Sequence, residues 1–369
     1  PLSTASLRAD LARIYGLGLF EQVDYRWQAE GDTHGIEIDA RAKSWGPGYM
    51  RFGLSLEEDF EGSSAFAISA RYLQTAMNRL GAEWRTSLRL GTNTLLESEF
   101  YQPLSFDLRY FVAPIVSLNQ RNVALFSGSD RLARYRLSTL ESRIDVGREL
   151  GNWGELRLGI FRGAGNARVK VGDPALQRLD FNTGGYRASF GFDTLDDTVF
   201  PSRGSRYELE LEFAREALAS ERDYETLIST YAGYRTFGRH TWSVGLDLAT
   251  SNDADDIIEE SYLLGGFLNL SGLDRGALAG PHAAVGRVVY QRRMGSTGGG
   301  LFDWPLYLGG SLEAGNVWAT RDDVSFGDLV FNGSLFARFD TFFGPFYLAT
   351  GFGESGETTV YLFLGATAN

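Results

Sequence analysis

Residues 207–213 read YELELEF, and this stretch decides the fold. Aromatic and aliphatic side chains at the odd positions alternate with glutamates at the even positions. In an extended strand, successive side chains point to opposite faces, so this segment has one apolar and one acidic face. Residues 50–57 (MRFGLSLE) and 83–90 (EWRTSLRL) show the same period of two. All three segments therefore predict β-strands with one buried or lipid-facing side.

The alternation recurs from residue 48 to the end of the chain, and no convincing helix interrupts it. About sixteen segments follow this pattern. We expect them to begin near Gly48, Ser63, Gly81, Thr94, Asp107, Arg131, Glu155, Gln177, Ser205, Tyr224, Thr241, Ala283, Pro305, Val330, Gly344 and Thr358. The connections that leave odd-numbered segments are predicted to be the longer ones. This asymmetry is typical of outer-membrane barrels, whose extracellular loops are long and whose periplasmic turns are short.

Two all-β architectures are compatible with alternation alone. In a soluble sandwich the apolar face is the interior, whereas in a transmembrane barrel it meets lipid and the polar face lines a wet lumen. Sixteen strands are too many for a barrel filled by side chains. Aromatic pairs also cluster near predicted strand ends, at residues 100–101, 110–111, 342–343 and 346–347. We therefore predict a transmembrane barrel, with a large secreted β-protein as the alternative.

The first 44 residues have a different pattern. Leu7, Leu11 and Ile14 share one helical face, and two alternating segments then flank a turn at Gly31–Asp32. These features predict a small α+β module that lacks its first elements. We expect the chain to be a fragment of a longer precursor.

Composition excludes several classes of function. The chain has no cysteine and 3 histidines (His34, His240 and His282), which argues against a metal site. The net charge of −12 argues against nucleic-acid binding. No GxSxG nucleophile motif occurs, so we predict no catalytic residue, and nothing in the sequence requires a cofactor.

Several motifs carry a resemblance to a known family. YGLGLFEQVDYRW (residues 15–27) followed by WGPGYMRFGLSLEEDF (residues 45–60) resembles the last POTRA module and the first barrel strand of the outer-membrane assembly and translocation superfamily. FPSRGSRYELELE (residues 200–212) resembles its periplasmic turn, with Phe200, Pro201 and Gly204 in the motif positions. SLEAGNVW (residues 311–318) resembles the strand that faces the family's inserted loop.

The resemblance implies a 16-stranded antiparallel transmembrane β-barrel preceded by a partial α+β POTRA module. The implied boundaries are residues 1–44 for the POTRA part and 45–369 for the barrel, with the inserted loop at about 251–282. The barrel would lie in the bacterial outer membrane and the POTRA module in the periplasm. Pairing of the last strand, which carries Tyr361 and Phe363, with the first strand would close the barrel.

Within this superfamily the chain most resembles patatin-like autotransporters, mainly through LGGFLNLSGL in residues 264–273. That likeness implies a translocation barrel that carries its own N-terminal patatin-like phospholipase passenger to the cell surface. Outer-membrane lipid and the outer-membrane assembly machinery would be its partners, while the oligomeric state stays open, a homodimer included. Alternatives are a plugged or gated pore, or an assembly barrel of the same superfamily without a lipase passenger.

The resemblance also assigns the inserted loop to the lumen, with a mobile extracellular loop as the alternative. The residues of interest are Gly265, Gly266, Leu270, Ser271, Gly272, Asp274, Arg275 and Gly276. The family's usual tip is Val-Arg-Gly-Phe, and alignment from the glycine pair puts Ser271 where the arginine is expected. We predict that Arg275 instead pairs with Glu313, which lies near Gly315 on the facing barrel wall. The rival is that Ser271 and leucine packing hold the loop alone.

The polar faces of the strands predict the lining of the lumen. The charged residues that we expect to point inward are Arg51, Arg85, Arg89, Arg134, Arg136, Glu208, Glu210 and Glu212, together with Glu83, Glu97 and Glu99. Both signs of charge are present, so ion pairs between neighbouring strands are expected.

Overall fold

The computed structural model describes residues 7, 11, 20–31, 33–42, 48–62, 64–127, 130–172, 178–252, 262–296 and 304–365. The first strands are β1 (Phe20–Glu30), β2 (Thr33–Ala42), β3 (Gly48–Glu58), β4 (Ser64–Gln74), β5 (Glu83–Gly91), β6 (Thr94–Pro103) and β7 (Tyr110–Ser127). They are followed by β8 (Asp130–Glu149), β9 (Gly154–Val171), β10 (Leu179–Asp193), β11 (Arg203–Ala214), β12 (Tyr224–Phe237), β13 (His240–Asn252), β14 (Tyr262–Leu264) and β15 (Leu278–Gly280). The last are β16 (His282–Ser296), β17 (Pro305–Trp318), β18 (Val330–Thr341), β19 (Gly344–Phe352) and β20 (Thr358–Gly365). Short 3₁₀ turns occupy Glu216–Leu218, Arg321–Asp323 and Phe326–Asp328.

Sixteen strands, β3–β13 and β16–β20, form one closed barrel in which every neighbouring pair is antiparallel. Sequence neighbours pair throughout, and β20 returns to β3 to close the ring. The prediction of a 16-stranded antiparallel barrel is confirmed, and the predicted strand starts lie within three residues of those observed.

The two faces of each barrel strand differ in polarity. Apolar side chains on the outside are widely exposed, for example Phe52 at 70% and Leu312 at 75% of their surface. Their sequence neighbours Arg51 and Glu313 point to the inside of the barrel, where ladders of polar residues meet. A continuous exposed apolar surface of this kind fits a lipid environment, so the outer face forms a lipid-facing band.

Connection lengths follow the predicted asymmetry only in the second half of the barrel. There β13 and β16 are joined by residues 253–281, and β17 and β18 by residues 319–329. In the first half, β5 and β6 are joined by only residues 92–93, at the end where long loops were expected. The connection between β7 and β8 is short because the strands themselves extend outward: β7, β8 and β9 are 18, 20 and 18 residues long, whereas about 9–11 residues cross a membrane. Here the outward extension consists of strand rather than loop.

The N-terminal region forms its own small sheet. β1 and β2 make an antiparallel hairpin around Gly31, as the alternation predicted. Leu7 and Leu11 are helical, whereas Ile14 lies outside the described residues. Across the described ranges, no helix combines the length and the hydropathy needed to cross a membrane.

Candidate functional site

The segment between β13 and β16 folds as a compact unit. The short strands β14 and β15 pair, and the turn between them is fixed by its own backbone, with the Gly265 amide donating to Asn269 O at 2.8 Å and the Gly266 amide to Leu273 O at 3.1 Å. We call residues 262–280 the inserted loop. Its backbone hydrogen bonds are largely internal. The loop can therefore enter the lumen without leaving its backbone amides and carbonyls unpaired.

Ser271 fastens the tip of the inserted loop to the barrel wall. Its amide donates to Glu313 Oε2 and its hydroxyl to Glu313 Oε1, both at 2.7 Å. Its carbonyl accepts a hydrogen bond from the side-chain amide of Asn332 at 2.6 Å. Ser271 is 0% and Glu313 only 3% exposed, so these charge-assisted bonds lie away from water. We call the Ser271–Glu313 contact the loop lock.

A second set of hydrogen bonds connects the tip to the last strand. The Gly272 amide donates to the Tyr361 hydroxyl at 2.9 Å, and the Thr359 hydroxyl donates to Gly272 O at 3.2 Å. Gly272 has a φ of +99°, and a Cβ there would lie 2.4 Å from the backbone nitrogen of Gly353. Only glycine allows this conformation and this close approach to the wall.

Apolar packing surrounds the lock. The Phe267 ring lies 5.2 Å from that of Tyr347 and 5.8 Å from that of Tyr361, measured between ring centroids. Leu270 is fully buried in a cluster with Ala283 and Val285 of β16. The inserted loop is thus held by hydrogen bonds between its tip and Glu313, Asn332, Thr359 and Tyr361, and by the apolar contacts of Phe267 and Leu270.

The predicted pair between Arg275 and Glu313 is wrong. Both carboxylate oxygens of Glu313 accept hydrogen bonds from Ser271, which stands where the family's arginine was expected, and Oε1 also accepts one from the Ser311 hydroxyl. Arg275 faces β3 instead, where its Nε lies 3.6 Å from Glu57 Oε2, and its side chain is 39% exposed. The two alternatives were an Arg275–Glu313 pair, or Ser271 together with leucine packing. The structure shows the second: Ser271 and leucine packing hold the loop.

The other predicted residues of this region occupy peripheral positions. Asp274 is exposed, and its carbonyl closes the turn by accepting from the Ala277 amide at 3.0 Å. Gly276 has a φ of +67°. Gly315 is on β17, where a Cβ would come within 2.6 Å of the Ala284 carbonyl on β16.

Ion pairs cover the lumen wall from β5 to β11. They link Arg85 with Glu83 and Glu99, Arg157 with Glu99, Asp145 and Glu155, Arg143 with Asp145 and Glu141, and Arg187 with Glu141, Glu210 and Glu212. We call this set the charge belt. Arg206 and Glu208 form a separate pair on β11. The lumen therefore has a charged wall on one side and a wall that holds the inserted loop on the other.

The predicted inward charges fall into two groups. Those on β3, β5, β6 and β11 share the inner face with the charge belt; they are Arg51, Arg85, Arg89, Glu83, Glu97, Glu99, Glu208, Glu210 and Glu212. The prediction is wrong for Arg134 and Arg136, which lie on the outer face of β8. Odd-numbered residues of β8 point inward, as Glu141 and Arg143 do, and inside positions near Arg136 belong to buried Tyr135 and Leu137.

Sequence reasoning missed the centre of the charge belt. Glu141, Arg143 and Asp145 were not singled out, nor were Arg157 and Arg187. The spacing i, i+2, i+4 of the first three, with alternating sign, was the signal that could have located them on one face of a strand.

The turn between β10 and β11, which the sequence motif predicts to be periplasmic, is held by carboxylates: Asp193 accepts from the Leu195 amide, and Asp197 from the amides of Val199 and Phe200. Asp196 accepts hydrogen bonds from the Ser202 hydroxyl and from the backbone amides of Ser202 and Arg203. These bonds, that of the Ser202 side chain first, lower the pKa of Asp196 to about 2. The carboxylate therefore stays ionised, and keeps accepting these bonds, at neutral and mildly acidic pH.

The family-motif residues of this turn have separate roles. The Phe200 ring lies 5.6 Å from the guanidinium of Arg338 on β18, so the turn reaches over the barrel mouth toward a distant strand. Pro201 is half-buried beside it. Gly204 has a φ of +100°, and a Cβ there would lie 2.1 Å from Thr194 O.

Within residues 48–365 as described, the barrel closes through its shortest ladder. β20 and β3 share four residue pairs, from Leu362 with Glu58 to Gly365 with Ser55. The adjoining ladders have seven pairs (β19–β20) and eleven (β3–β4). We call the β20–β3 ladder the seam. Tyr361 and Phe363 of β20 point to the lumen at the seam, where both rings approach Phe267 of the inserted loop.

Comparisons with known proteins agree with this architecture. The model of the Omp85 superfamily domain matches residues 78–354. BamA from Haemophilus ducreyi lacking POTRA domains 1–3 has a TM-score of 0.73 at 14% identity, covering 99% of this chain and 79% of that chain. CdiB from Acinetobacter baumannii (TM-score 0.60, 10% identity, 96% and 67% coverage) and CdiB from Escherichia coli (0.60, 11%, 99% and 71%) are also similar. At these identities the likeness shows the fold alone. No curated protein sequence matches the chain.

Proposed function

The chain belongs to the Omp85 superfamily, and on that premise we propose that it is a translocation barrel that carries a polypeptide joined to its own N-terminal side to the cell surface. A barrel of this superfamily lies in the bacterial outer membrane. In the proposal, residues 1–44 are the end of a periplasmic POTRA module and residues 45–369 the barrel. The chain itself carries no catalytic role in this scheme.

The observation that carries the proposal is the short seam with the inserted loop beside it. The described part of the seam has four residue pairs, so opening it breaks fewer ladder hydrogen bonds than opening the adjoining ladders. The inserted loop contacts both edges, through Arg275 to Glu57 on β3 and through Gly272 to Tyr361 on β20. Opened strand edges can pair with an incoming extended segment.

Two further candidate functions differ in what passes through or is handled by the barrel: a passive pore, and an assembly barrel that acts on other proteins. A passive pore is disfavoured because the inserted loop is locked inside the lumen by buried hydrogen bonds. An assembly barrel without an attached passenger is favoured by the same short seam, because an opened edge can also accept strands of another protein.

For the passenger we propose a patatin-like phospholipase domain. This proposal is supported by the sequence of residues 264–273, LGGFLNLSGL, in which serine replaces the usual arginine of the loop tip. The discriminating observation is the coding sequence ahead of residue 1. A GxSxG nucleophile motif there supports the proposal, because patatin chemistry needs an activated serine.

Locking the seam with a disulfide is expected to stop surface delivery. Leu56 and Leu364 are paired across the seam, so cysteines at both positions (L56C/L364C) lie within disulfide distance. The chain has no other cysteine that could compete for the bond. The measurement is protease accessibility, on intact cells, of a reporter polypeptide fused ahead of the chain. We expect the reporter to reach the surface under reducing conditions and to stay inside after oxidation.

The matched control joins the same residue to its other neighbour. Leu56 also pairs with Phe66 in the eleven-pair β3–β4 ladder, so an L56C/F66C disulfide constrains the barrel without closing the seam. Delivery should continue when this pair is oxidised. Undiminished delivery through the oxidised L56C/L364C barrel would show that the seam does not open.

A further inference from the structure

A group of three arginines lies at one end of the outer face of β8 and β9. Its members are Arg134, Arg136 and Arg168, and we call them the outer arginine patch. Arg162, which is paired with Ser142 about midway between Arg148 and Arg136, is not counted in it. Their outward direction follows from the register, because they are even-numbered while the inward ion-paired residues of the same strands, such as Arg143 and Arg157, are odd-numbered. The patch is therefore separate from the lumen and from the inserted loop.

The height of the patch can be read from β8 itself. Arg148, on the same face, marks the periplasmic boundary, with its guanidinium 5.8 Å from the Tyr110 ring centre. Exposed Val146, Ile144 and Leu140 follow toward the other end. At about 3.3 Å per residue and a tilt of about 40°, the twelve residues from Arg148 to Arg136 rise about 30 Å, compared with an apolar band of about 25 Å. Arg136 therefore lies at the level of the lipid headgroups of the outer leaflet.

Among the described residues, no carboxylate forms an ion pair with the patch. Arg136 is directly opposite Arg168 in the β8–β9 register, and like charges in this position repel. From residue 134 to 148 of β8 and from 154 to 171 of β9, the even-numbered positions contain no carboxylate. On the adjoining strand, Asp180 is already paired with Arg178 at 2.6 Å. An anion from outside the chain would remove the repulsion.

We propose that the outer arginine patch binds the phosphate groups of a phosphorylated glycolipid in the outer leaflet. Guanidinium groups match phosphate oxygens in a bidentate geometry, and basic clusters at a membrane surface attract anionic headgroups. Below the patch, Leu140, Ile144 and Ile160 offer an apolar surface for the acyl chains of the same molecule. The combination of charge at headgroup height with apolar side chains beneath fits an amphiphile better than a free anion.

The test measures binding of bis-phosphorylated lipid A to the purified, folded barrel in detergent. The variant R136Q/R168Q removes the opposed pair, and R148Q is the matched control on the same strand and face at the other membrane boundary. We expect the double variant to bind about tenfold more weakly and R148Q to bind as the unchanged chain does. Binding should also weaken as salt is raised.

Three outcomes overturn the proposal. They are equal binding by R136Q/R168Q and the unchanged chain, an equal loss in R148Q, and equal affinity for lipid A stripped of its phosphates. Heat-modifiable gel mobility reports folding, and the single variants R136Q and R168Q replace the double variant if it does not fold. The proposal depends on the outer-membrane location and not on the passenger, so it can fail while the proposed function stands.

Discussion

Replacing Glu313 with alanine is expected to release the inserted loop and to turn a closed barrel into a conducting one. The substitution removes the carboxylate that accepts two hydrogen bonds from Ser271. The buried amide and hydroxyl of Ser271 have then lost this acceptor. Each hydrogen bond to a charged group contributes about 1.5–3 kcal/mol, so the loss is at least about 3 kcal/mol. That corresponds to a shift of about 100-fold or more in the ratio of open to closed barrels. Single-channel recording in planar bilayers measures this directly.

Arg275 provides the control for the loop lock. Its contact with Glu57 is long, at 3.6 Å, and its side chain is 39% exposed. An exposed pair of this kind contributes under about 1 kcal/mol, so R275A should conduct as little as the unchanged barrel. Matching conductance of E313A and R275A, whether both low or both high, would contradict the loop lock.

The second large effect is expected at Arg187, which forms ion pairs with three carboxylates of the charge belt. Its guanidinium lies 2.9 Å from Glu141 and 2.5 Å from Glu212, and the side chain is only 13% exposed. Replacement by methionine keeps the apolar stem but leaves Glu212, whose side chain is 10% exposed, without its counter-charge, while Glu141 keeps its contact with Arg143. Removing one partner of a buried ion pair costs about 3–5 kcal/mol. We expect a loss of this size in denaturant unfolding of the barrel in lipid vesicles, followed by tryptophan fluorescence.

Arg206 is the matched control on the same wall. It pairs with Glu208, but the two side chains are 36% and 56% exposed. Water screens such a pair, so R206M should lower the free energy of unfolding by less than about 1 kcal/mol. Comparable losses for the two variants would mean that the charge belt is solvated rather than buried.

Alternation alone was enough to predict the barrel, because the side-chain period of two is local and survives in every strand. Residues 207–213 illustrate this: their glutamates face the lumen at the positions that the pattern assigned. The same pattern failed at Arg134 and Arg136, where β8 continues beyond the apolar band. There the outer face no longer meets the hydrocarbon core of the membrane, so a charged residue no longer marks the inside.

The loop lock could not be predicted from the spacing of charged residues. An arginine and a glutamate suggested a salt bridge, but which groups meet depends on how the backbone of the inserted loop turns. Gly272 and its neighbours place Ser271, rather than Arg275, against the carboxylate of Glu313. The sequence offers Ser271 only as the alternative to Arg275 for the residue that holds the loop, because a neutral hydroxyl is a weaker signal than a charge.

The most direct test of translocation through this lumen is site-specific photo-crosslinking during delivery of the fused reporter. A photoreactive phenylalanine at Ile228 of β12 faces the lumen, since Ile228 is paired with Glu210, whereas the same group at the neighbouring Leu227 faces the opposite side. The account predicts covalent adducts between the barrel and the reporter from position 228 and none from position 227. Delivery of the reporter to the surface without adducts from position 228, or with equal adducts from both positions, would contradict it.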